Sequence, residues 1–393
     1  MSGRHGRNSR GGSVVAVTGR VILFGATGFT GRLTAEVMTR AGMAPVLAGR
    51  SPDALVALTG DLAGLGPMNA APTWQAADVN DPASVRALVS SPDDVIVSTV
   101  GPFSRLGRPA IDAAIAQGCG YVDSTGEPTF IRQVFEQDDE PARASGARLL
   151  TAFGYDYVPG NLAGALAIAD ARAAGRIPVV VEVGYFVRGG MAMSSGTRAS
   201  SVLMASAPAF ALRNGVISET RGSVATFDVA GQSQDALPVS GSEHFTLPRL
   251  DPGVRDVGVY LGWAGRMTRP AHLAGGALSA ISRLPVLGGA ISSGLGKAGG
   301  TATGEGPDAN ERAKATTVVV ARTRDGVGRE LSSIRLEGPS PYDLTAELLA
   351  WGAAMLLTRR ASATGALGPV DAFGLEALQH GCADIGLRRY PTE

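Results

Sequence analysis

Residues 21–31 read Val-Ile-Leu-Phe-Gly-Ala-Thr-Gly-Phe-Thr-Gly, a short apolar run followed directly by three evenly spaced glycines. The apolar run predicts a buried strand, and the residues after it predict a helix that opens at the last glycine. Glycine permits the tight turn and lets backbone N–H groups approach a pyrophosphate, while the helix N-terminus adds partial positive charge. The motif therefore predicts a dinucleotide-binding turn. The residues expected to contact the cofactor are Gly25, Thr27, Gly28, Phe29, Thr30 and Gly31.

The end of the second predicted strand indicates which dinucleotide binds. An NAD-selective site normally carries Asp or Glu about 20 residues past the glycines, where it accepts hydrogen bonds from the ribose hydroxyls. That place holds Arg50 followed by Ser51, with no acid beside them. Because a guanidinium forms forked, charge-assisted hydrogen bonds with a phosphate, the pair favours the 2′-phosphate of NADP over NAD.

Two later strand ends also belong to the predicted cofactor site. Asp78 follows the third strand, where folds of this type contact adenine; the alternative is a residue beside a helix N-cap. Residues Thr99, Val100, Gly101 and Pro102 follow the fourth strand, and the Gly-Pro pair turns the chain away from the sheet. Ligands of open α/β folds bind at this carboxyl edge, so these four residues are expected to contact the cofactor.

From residue 14 to residue 155 short strands alternate with helical stretches. The strands are predicted at 20–24, 45–48, 73–76, 94–98, 121–123 and 148–152, and the helices at 31–41, 52–58, 82–89, 106–117 and 129–144. This alternation predicts right-handed βαβ units and a parallel sheet. The fold class is therefore α/β, with a Rossmann-type domain over residues 14–155.

The pattern changes in the second part of the chain. Strands are predicted at 179–188, 315–322 and 330–336, and helices at 198–213, 276–295, 343–358 and 371–386. Strands without regular helical alternation predict a second α+β domain over 156–340, with a mainly antiparallel sheet that binds substrate and forms a homodimer. Residues 341–393 are predicted as C-terminal helices that pack back on the first domain.

Composition narrows the classes of function. The 393 residues are 45% hydrophobic, enough for two cores, and 35 Lys and Arg balance 35 Asp and Glu, which argues against nucleic acid as a partner. Two cysteines and the absence of metal-ligand spacing predict neither a disulfide framework nor a metal site. Residues 1–13 predict a disordered basic tail. The two cysteines fit a reducing cytoplasm, which is the expected location. No apolar run is long enough for a membrane span, so the protein is expected to be soluble or at most peripheral to a membrane.

Several segments together resemble a known family. The glycine turn GATGFTG, the strand end LAGR, the segments STVGPF and YVDSTGEPTF, and FGYDYVPG at 153–160 resemble the saccharopine dehydrogenase-like NADP-binding oxidoreductases. Within these the pattern is most similar to the bacterial trans-acting enoyl reductases. The segments GEGPDANERAKA, PYDLTA and GPVDAFG extend the likeness to the later part of the chain. The resemblance implies a Rossmann domain with an α+β domain, NADPH as cofactor, and an unsaturated acyl chain of a polyketide or lipid pathway as acceptor.

The segment from Gly154 to Asn161 supplies the candidates for catalysis. It leaves the sixth strand and enters a helix, so Tyr155, Asp156 and Tyr157 gather where the nicotinamide end of the cofactor would lie. The resemblance carries Tyr155 and Asp156 over as site residues. The alternatives are that Asp156 caps the helix and that the tyrosines belong to the core. Further on, Ser195, Gly196 and Thr197 are candidates for hydrogen bonds to the substrate, with helix capping as the alternative.

Residues 257–304 contain no acidic residue, while Arg266, Arg269, Arg283 and Lys297 punctuate an apolar stretch. This basic surface is a candidate for docking an acidic acyl carrier protein or a membrane surface, which would make the protein peripheral; the alternative is a buried helical pair with snorkelling arginines.

Three functions remain open from the sequence. The first is reduction of a C=C bond in a small-molecule or carrier-bound acyl substrate with NADPH. The second is an NADP-dependent dehydrogenase of an amino acid, imine or carbonyl compound, for which Arg188 and Arg198 would hold substrate carboxylates. The third is a non-catalytic NADP-binding sensor.

Overall fold

The computed structural model describes residues 19–67, 71–190, 193–195, 197–198, 209–220, 222–263, 268–269, 305–358 and 363–391. The predictions that lie wholly or mostly outside these residues are the tail at 1–13, the substrate candidate Gly196, the helix at 198–213 up to residue 208, the helix at 276–295 and most of the 257–304 surface. Within the described part of the chain, no helix is long and apolar enough to cross a membrane.

The first domain is built on a parallel sheet of seven strands, which confirms the predicted fold class. Its spatial order is β15-β6-β5-β4-β1-β2-β3. The strands are β1 Val21–Phe24, β2 Val46–Gly49, β3 Thr73–Ala76, β4 Val95–Ser98, β5 Gly120–Asp123, β6 Arg148–Leu150 and β15 Gly365–Ala366. All of them except β3 are buried along their whole length, as strands covered by helices on both faces require. The order reverses between β1 and β4, which opens a crevice at the carboxyl ends of these two strands.

Helices connect these strands. They are α1 Phe29–Arg40, α2 Pro52–Leu62, α3 Pro82–Arg86, α4 Phe103–Leu106, α5 Arg108–Gln117, α6 Pro128–Gln133 and α7 Asp139–Ser145, with a π-helical turn at Val134–Asp138. Proline stands in the first turn of α2, α3, α5 and α6, where its missing N–H costs nothing. The chain then passes through helix α8 Val158–Ala173, which lies against the second sheet.

The second domain contains a mixed sheet with the path β10-β11-β12-β7-β13-β14-β16, to which the hairpin β8–β9 is added through β12. The strands are β7 Val180–Arg188, β8 Phe210–Arg213, β9 Val216–Glu219, β10 Ala225–Val229, β11 Gln232–Val239, β12 Asp256–Leu261, β13 Thr316–Arg324, β14 Glu330–Gly338 and β16 Arg388–Tyr390. The pair β7–β12 is parallel, whereas the other described pairs are antiparallel.

The predicted helix at 198–213 is wrong at its C-terminal end. Phe210–Arg213 is a strand that pairs with Val216–Glu219 across the turn at Asn214 and Gly215. Both turn residues have positive φ, 50° and 78°, and Asn-Gly is the sequence that favours such a two-residue hairpin turn. The signal was present in the sequence, and the apolar residues of 198–213 obscured it because they also fit a helix.

The remaining helices are α9 Glu243–Leu250, α10 Ala309–Lys314, α11 Pro341–Thr358, α12 Pro369–Phe373 and α13 Leu375–Asp384. Helix α11 packs against α1, β4 and β5 of the first domain, while α12 and α13 pack against α8. The sequence pattern at 371–386 predicted one helix, but Gly374, with φ +78°, separates two. The residues after 340 thus contribute a strand to each sheet and contact both domains.

Candidate functional site

The glycine turn has the geometry that a dinucleotide site needs. Gly25 adopts φ +91°, and a Cβ there would lie 2.7 Å from the Thr99 hydroxyl. A Cβ on Gly31 would lie 2.2 Å from the carbonyl oxygen of Gly25, so the first turn of α1 sits directly on the β1 turn. Gly28 is the N-cap of α1 and carries no side chain that could satisfy the free N–H groups of the first helical turn. The turn therefore presents backbone donors at a glycine-lined surface, which fits a bound pyrophosphate.

Arg50 lies at the carboxyl end of β2, beside this turn. Its side chain is exposed and makes no hydrogen bond or ion pair with the part of the chain that the structure describes. Ser51 is the N-cap of α2, and its hydroxyl accepts the N–H of Ala54 at 3.4 Å. The structure thus leaves the guanidinium free for a phosphate, while Ser51 has a structural partner of its own.

Replacing Arg50 with alanine is expected to weaken NADPH binding by roughly 10- to 100-fold, since a hydrogen bond to a charged group contributes about 1.5–3 kcal/mol. The dissociation constant of NADH should stay within about twofold, because NADH has no 2′-phosphate. Titration calorimetry with both cofactors measures the two values. Arg86→Ala, which removes another exposed arginine of the same domain, is the matched control. Equal losses for NADPH and NADH would contradict this role of Arg50.

The other predicted cofactor residues lie at the same edge of the sheet. The Asp78 carboxylate accepts hydrogen bonds from the backbone and side-chain N–H groups of Asn80, so it orders the loop after β3. The Thr99 hydroxyl donates to the carbonyl oxygen of Gly25 at 3.1 Å, which joins the β4 loop to the glycine turn. This loop continues through Val100 and Gly101 to Pro102, the N-cap of α4.

A carboxylate that sequence reasoning missed holds the end of the β4 loop. Glu127 is 2% exposed, and its two oxygens accept the N–H groups of Phe103 and Ser104 at 2.8 and 2.9 Å. It lies in the segment YVDSTGEPTF, whose resemblance to the family was the available signal. Bidentate acceptance at the start of α4 fixes the path of the chain immediately after Pro102.

A cleft opens next to the glycine turn, between the two domains, with about 490 Å³ of free space that includes open solvent. Six different segments of the chain supply its walls. The lining residues are Thr30, Ser124, Gly154, Tyr155, Asp156, Thr197, Trp263, Pro341, Tyr342 and Thr345. The cleft thus brings one residue of the cofactor turn together with two of the three predicted catalytic residues and one predicted substrate residue.

Asp123, at the end of β5, shapes the backbone that leads into this cleft. It is fully buried, and its carboxylate accepts the N–H of Thr125 and of Ala152 and the hydroxyl of Thr151, each at 2.9 Å. Burial raises the pKa of Asp123 to about 6, against the lowering effect of these donors. The bonds tie the end of β5 to the end of β6 and so direct the following residues into the cleft.

Tyr155 is held on three sides. Its N–H donates to the Thr345 hydroxyl at 3.0 Å, its ring stacks on Trp263, and its phenol oxygen accepts the indole N–H of Trp263 at 3.3 Å. Burial, with the nearby Asp156 carboxylate, raises the pKa of Tyr155 and keeps the phenol neutral. Since the indole is a donor only, the phenol's own proton is available to a ligand in the cleft.

Asp156 is the carboxyl group of the cleft. One of its oxygens, Oδ1, is buried and has no hydrogen-bond partner among the described residues. Burial raises the pKa of Asp156 to about 7, because removal from water disfavours the carboxylate. A carboxyl group with this pKa, at a cleft beside a cofactor turn, is suited to exchange a proton near neutral pH.

Tyr157 does not line the cleft. It is fully buried, its ring packs edge to face on Tyr185, and its hydroxyl has no partner within the described chain. Tyr157 therefore lies in the core, as the alternative interpretation of the sequence described.

The predicted substrate residues occupy different positions. The Thr197 hydroxyl lies 3.0 Å from that of Tyr342, within the cleft wall. Ser195 is buried, and both its N–H and its hydroxyl donate to the carbonyl oxygen of Glu305. Gly196 lies outside the described residues.

The described lining of the cleft contains no Lys, Arg or His. The two arginines considered for substrate carboxylates are engaged elsewhere: Arg188 pairs with Glu337, and Arg198 donates to the carbonyl oxygen of Met193. Of the basic residues in the 257–304 surface, the structure describes Arg269, which pairs with Asp235 at 2.5 Å. Trp263 had no signal in the sequence, because it comes from a segment far from the cofactor motif. Tyr342 and Thr345 lie in the segment PYDLTA, whose resemblance to the family was the available signal.

Comparison with known proteins identifies the first domain. Residues 21–149 match the family described as Saccharopine dehydrogenase NADP binding domain. The cofactor of this domain is therefore NADP, as the free guanidinium of Arg50 and the glycine turn also indicate.

Sequence relatives agree with this match, and a solved structure has the same fold. Trans-acting enoyl reductases of Mycobacterium tuberculosis and Mycobacterium leprae are 37% identical over 144 residues and 38% identical over 146 residues. The alignments cover 36% of this chain and only about a third of each relative. Apo saccharopine dehydrogenase (L-Glu forming) from Saccharomyces cerevisiae superimposes with a TM-score of 0.56 over 95% of this chain and 100% of that one, at 13% identity. The last comparison shows a shared fold.

Proposed function

We propose that this chain, whose residues 21–149 form a saccharopine dehydrogenase NADP binding domain, is an NADPH-dependent enoyl reductase. Its acceptor would be the C=C bond of an acyl, polyketide or lipid thioester. The observation that carries the proposal is the charge of the cleft: the described lining offers one carboxyl group, Asp156, among neutral aromatic walls and no cation. An uncharged thioester fits this lining, whereas an amino-acid acceptor would need cations for its carboxylates. The names of the relatives favour the same reaction.

We assign the thioester oxygen to Tyr155, which lines the cleft and whose raised pKa keeps its phenol neutral. When bound, NADPH would be held by the glycine turn at 25–31 and would supply the hydride for the β-carbon of the enoyl group. Negative charge then develops on the thioester oxygen and needs a donor. The Tyr155 oxygen accepts the Trp263 N–H, so the phenol proton is not used in that hydrogen bond and can be donated to the thioester oxygen. The raised pKa of Tyr155 keeps the phenol protonated.

Asp156 would supply the proton that completes the reaction. The α-carbon of the enolate takes this proton, the O–H bond of the carboxyl group breaks, and a carboxylate is left. With a pKa of about 7, Asp156 is substantially protonated at neutral pH and its partly exposed side chain recovers a proton from water. The saturated thioester and the oxidised cofactor are the products, so atoms and electrons balance.

The test is NADPH oxidation by the purified chain, followed as loss of nicotinamide absorbance. A long-chain 2-enoyl thioester, free or attached to a carrier protein, is compared with an amino acid plus a 2-oxo acid, and NADH serves as the cofactor control. Turnover of the thioester with NADPH is the expected result. Turnover only with the amino-acid pair would replace the proposal with a saccharopine dehydrogenase-like reaction, and tight NADPH binding with no turnover of either would indicate a sensor.

A further inference from the structure

The second domain places a buried carboxyl group behind the loop that carries Tyr155 and Asp156. Glu243, at the start of α9, is 0% exposed, and no Lys, Arg or His of the described chain pairs with it. Burying a carboxyl group without a cation costs free energy, so such groups are commonly kept for a function. Nothing in the proposed reaction uses Glu243 directly, because it does not line the cleft.

Tyr185 of β7 connects Glu243 to the loop that carries Tyr155 and Asp156. Its hydroxyl lies 2.6 Å from Glu243 Oε1 and 3.2 Å from the carbonyl oxygen of Tyr157, and it accepts the N–H of Gly160 at 2.9 Å. Its ring meets the rings of Tyr155 and Tyr157 edge to face, with centroids 5.5 and 5.7 Å apart. One phenol therefore contacts the loop through both its backbone and its aromatic side chains.

Two glycines make room for this arrangement. A Cβ on Gly160 would lie 2.0 Å from the Tyr185 hydroxyl and 2.4 Å from Glu243 Oε1. A Cβ on Gly241 would lie 2.3 Å from Glu243 Oε2 and 2.9 Å from the Tyr157 ring. The carboxyl group is thus enclosed between α8 and the turn before α9, with no space for any larger residue at these two positions.

We propose that Tyr185 and Glu243 are positioning residues, which hold the loop 154–157 and the first turn of α8 in the shape that presents Tyr155 and Asp156 to the cleft. The inference rests on the proposed function, since that function makes Tyr155 and Asp156 catalytic. The Tyr185 hydroxyl has one proton and two acceptors. When Glu243 is protonated, its own O–H can donate to Tyr185, which then donates to the Tyr157 carbonyl; when Glu243 ionises, the Tyr185 proton goes to the carboxylate and the loop loses that donor.

The groups that face Glu243 are consistent with its ionisation above neutral pH. Burial raises its pKa to about 8, the Tyr185 hydroxyl lowers it and the Asp156 charge raises it. Tyr157 and Tyr185 stay neutral because burial raises their pKa values, and burial lowers the pKa of His244, the next residue of α9, to about 4. Glu243 is therefore the group that ionises as pH rises through about 8, after Asp156.

The experiment reads the loop through Trp263, which stacks on Tyr155. The emission of Trp263, taken as the difference between the chain and its Trp263→Phe variant, is measured from pH 6 to pH 9. A step near pH 8 is expected, and it should be absent from Glu243→Gln and unchanged in Glu219→Gln, an exposed glutamate of the same domain. Persistence of the step in Glu243→Gln would overturn the proposal.

Steady-state rates provide the second readout. Tyr185→Phe keeps the ring and removes the hydroxyl, so we expect kcat about 10- to 100-fold lower with the KM for NADPH unchanged. An unchanged kcat in a folded Tyr185→Phe variant would also overturn the proposal. If the unsubstituted chain reduces no enoyl thioester, the proposed function fails, and the emission step alone still decides whether Glu243 and Tyr185 control the loop.

Discussion

Replacing Gly31 with alanine is expected to raise the NADPH dissociation constant by up to about 100-fold and to lower Tm. The new Cβ would lie 2.2 Å from the Gly25 carbonyl oxygen and 2.9 Å from the Ala26 backbone. These are main-chain atoms, so no side chain can move aside, and α1 must shift away from the β1 turn. Overpacking of this kind costs about 1–3 kcal/mol, and 3 kcal/mol of lost binding free energy corresponds to roughly 100-fold in affinity.

Titration calorimetry with NADPH and a thermal unfolding scan measure the two effects. Gly60→Ala is the matched control, because Gly60 lies on the exposed side of α2 and a Cβ there meets no atom within 4 Å. This control should bind NADPH normally and gain up to about 1 kcal/mol of stability, since alanine is the better helix former. If Gly31→Ala bound NADPH as tightly as the unchanged chain, the glycine turn would not be the pyrophosphate site.

The parallel sheet was predictable because its signals are local. Continuous apolar strands such as 21–24 and 95–98, each followed by a helical stretch, leave few arrangements other than a parallel sheet covered on both faces. The glycine turn and Arg50 were predicted from the same local pattern, since each stands immediately after a strand. The exposed edge strand Thr73–Ala76 was predicted from the alternation of short strands with helical stretches.

The second domain was less accessible, since its strands pair over long separations in the chain. Strand β12 lies parallel to β7, although some 70 residues separate them in the chain, and neither strand carries a residue pattern that specifies the other. The short strand Ala225–Val229 alternates apolar and polar residues and is followed by a turn at Gly231, a signal that the sequence analysis did not use. The hairpin at Asn214-Gly215 had a signal, and it was outweighed by a helical pattern.

The candidate site also contains residues that a local motif predicts and residues that only the folded chain brings together. Tyr155 and Asp156 were proposed from a motif that is continuous in sequence, and both line the cleft. Trp263, Tyr342, Glu243 and Tyr185 come from four other segments, which converge only when α11 packs on α1 and α8 lies on the second sheet. Periodicity cannot show that a buried glutamate stands behind a loop from another domain, so this part of the site needed the structure.

Replacing Asp156 with asparagine is expected to lower kcat for enoyl thioester reduction by about 10²- to 10⁴-fold, the contribution of a positioned general acid. The reaction needs the protonated carboxyl group, whose pKa burial raises from 3.8 to about 7. In the unchanged chain, kcat/KM should therefore be constant at pH below 7 and fall up to tenfold per pH unit from pH 7 to pH 8, where ionisation of Glu243 adds a second fall. Asparagine cannot ionise, so the limb that begins near pH 7 should vanish in Asp156→Asn, while NADPH affinity stays unchanged.

The matched control is Asp61→Asn, which changes an exposed aspartate of α2 away from the cleft and should leave both the rate and the pH profile unaltered. Combining Asp156→Asn with Glu243→Gln separates the two titrations. Asp156, with a pKa of about 7, donates the proton to the substrate, and Glu243, with a pKa of about 8, controls the loop. An alkaline limb near pH 7 that survives in Asp156→Asn would assign the proton to another group. It would leave Asp156 with a role in orienting the substrate, because its buried Oδ1 would still require a partner in the occupied cleft.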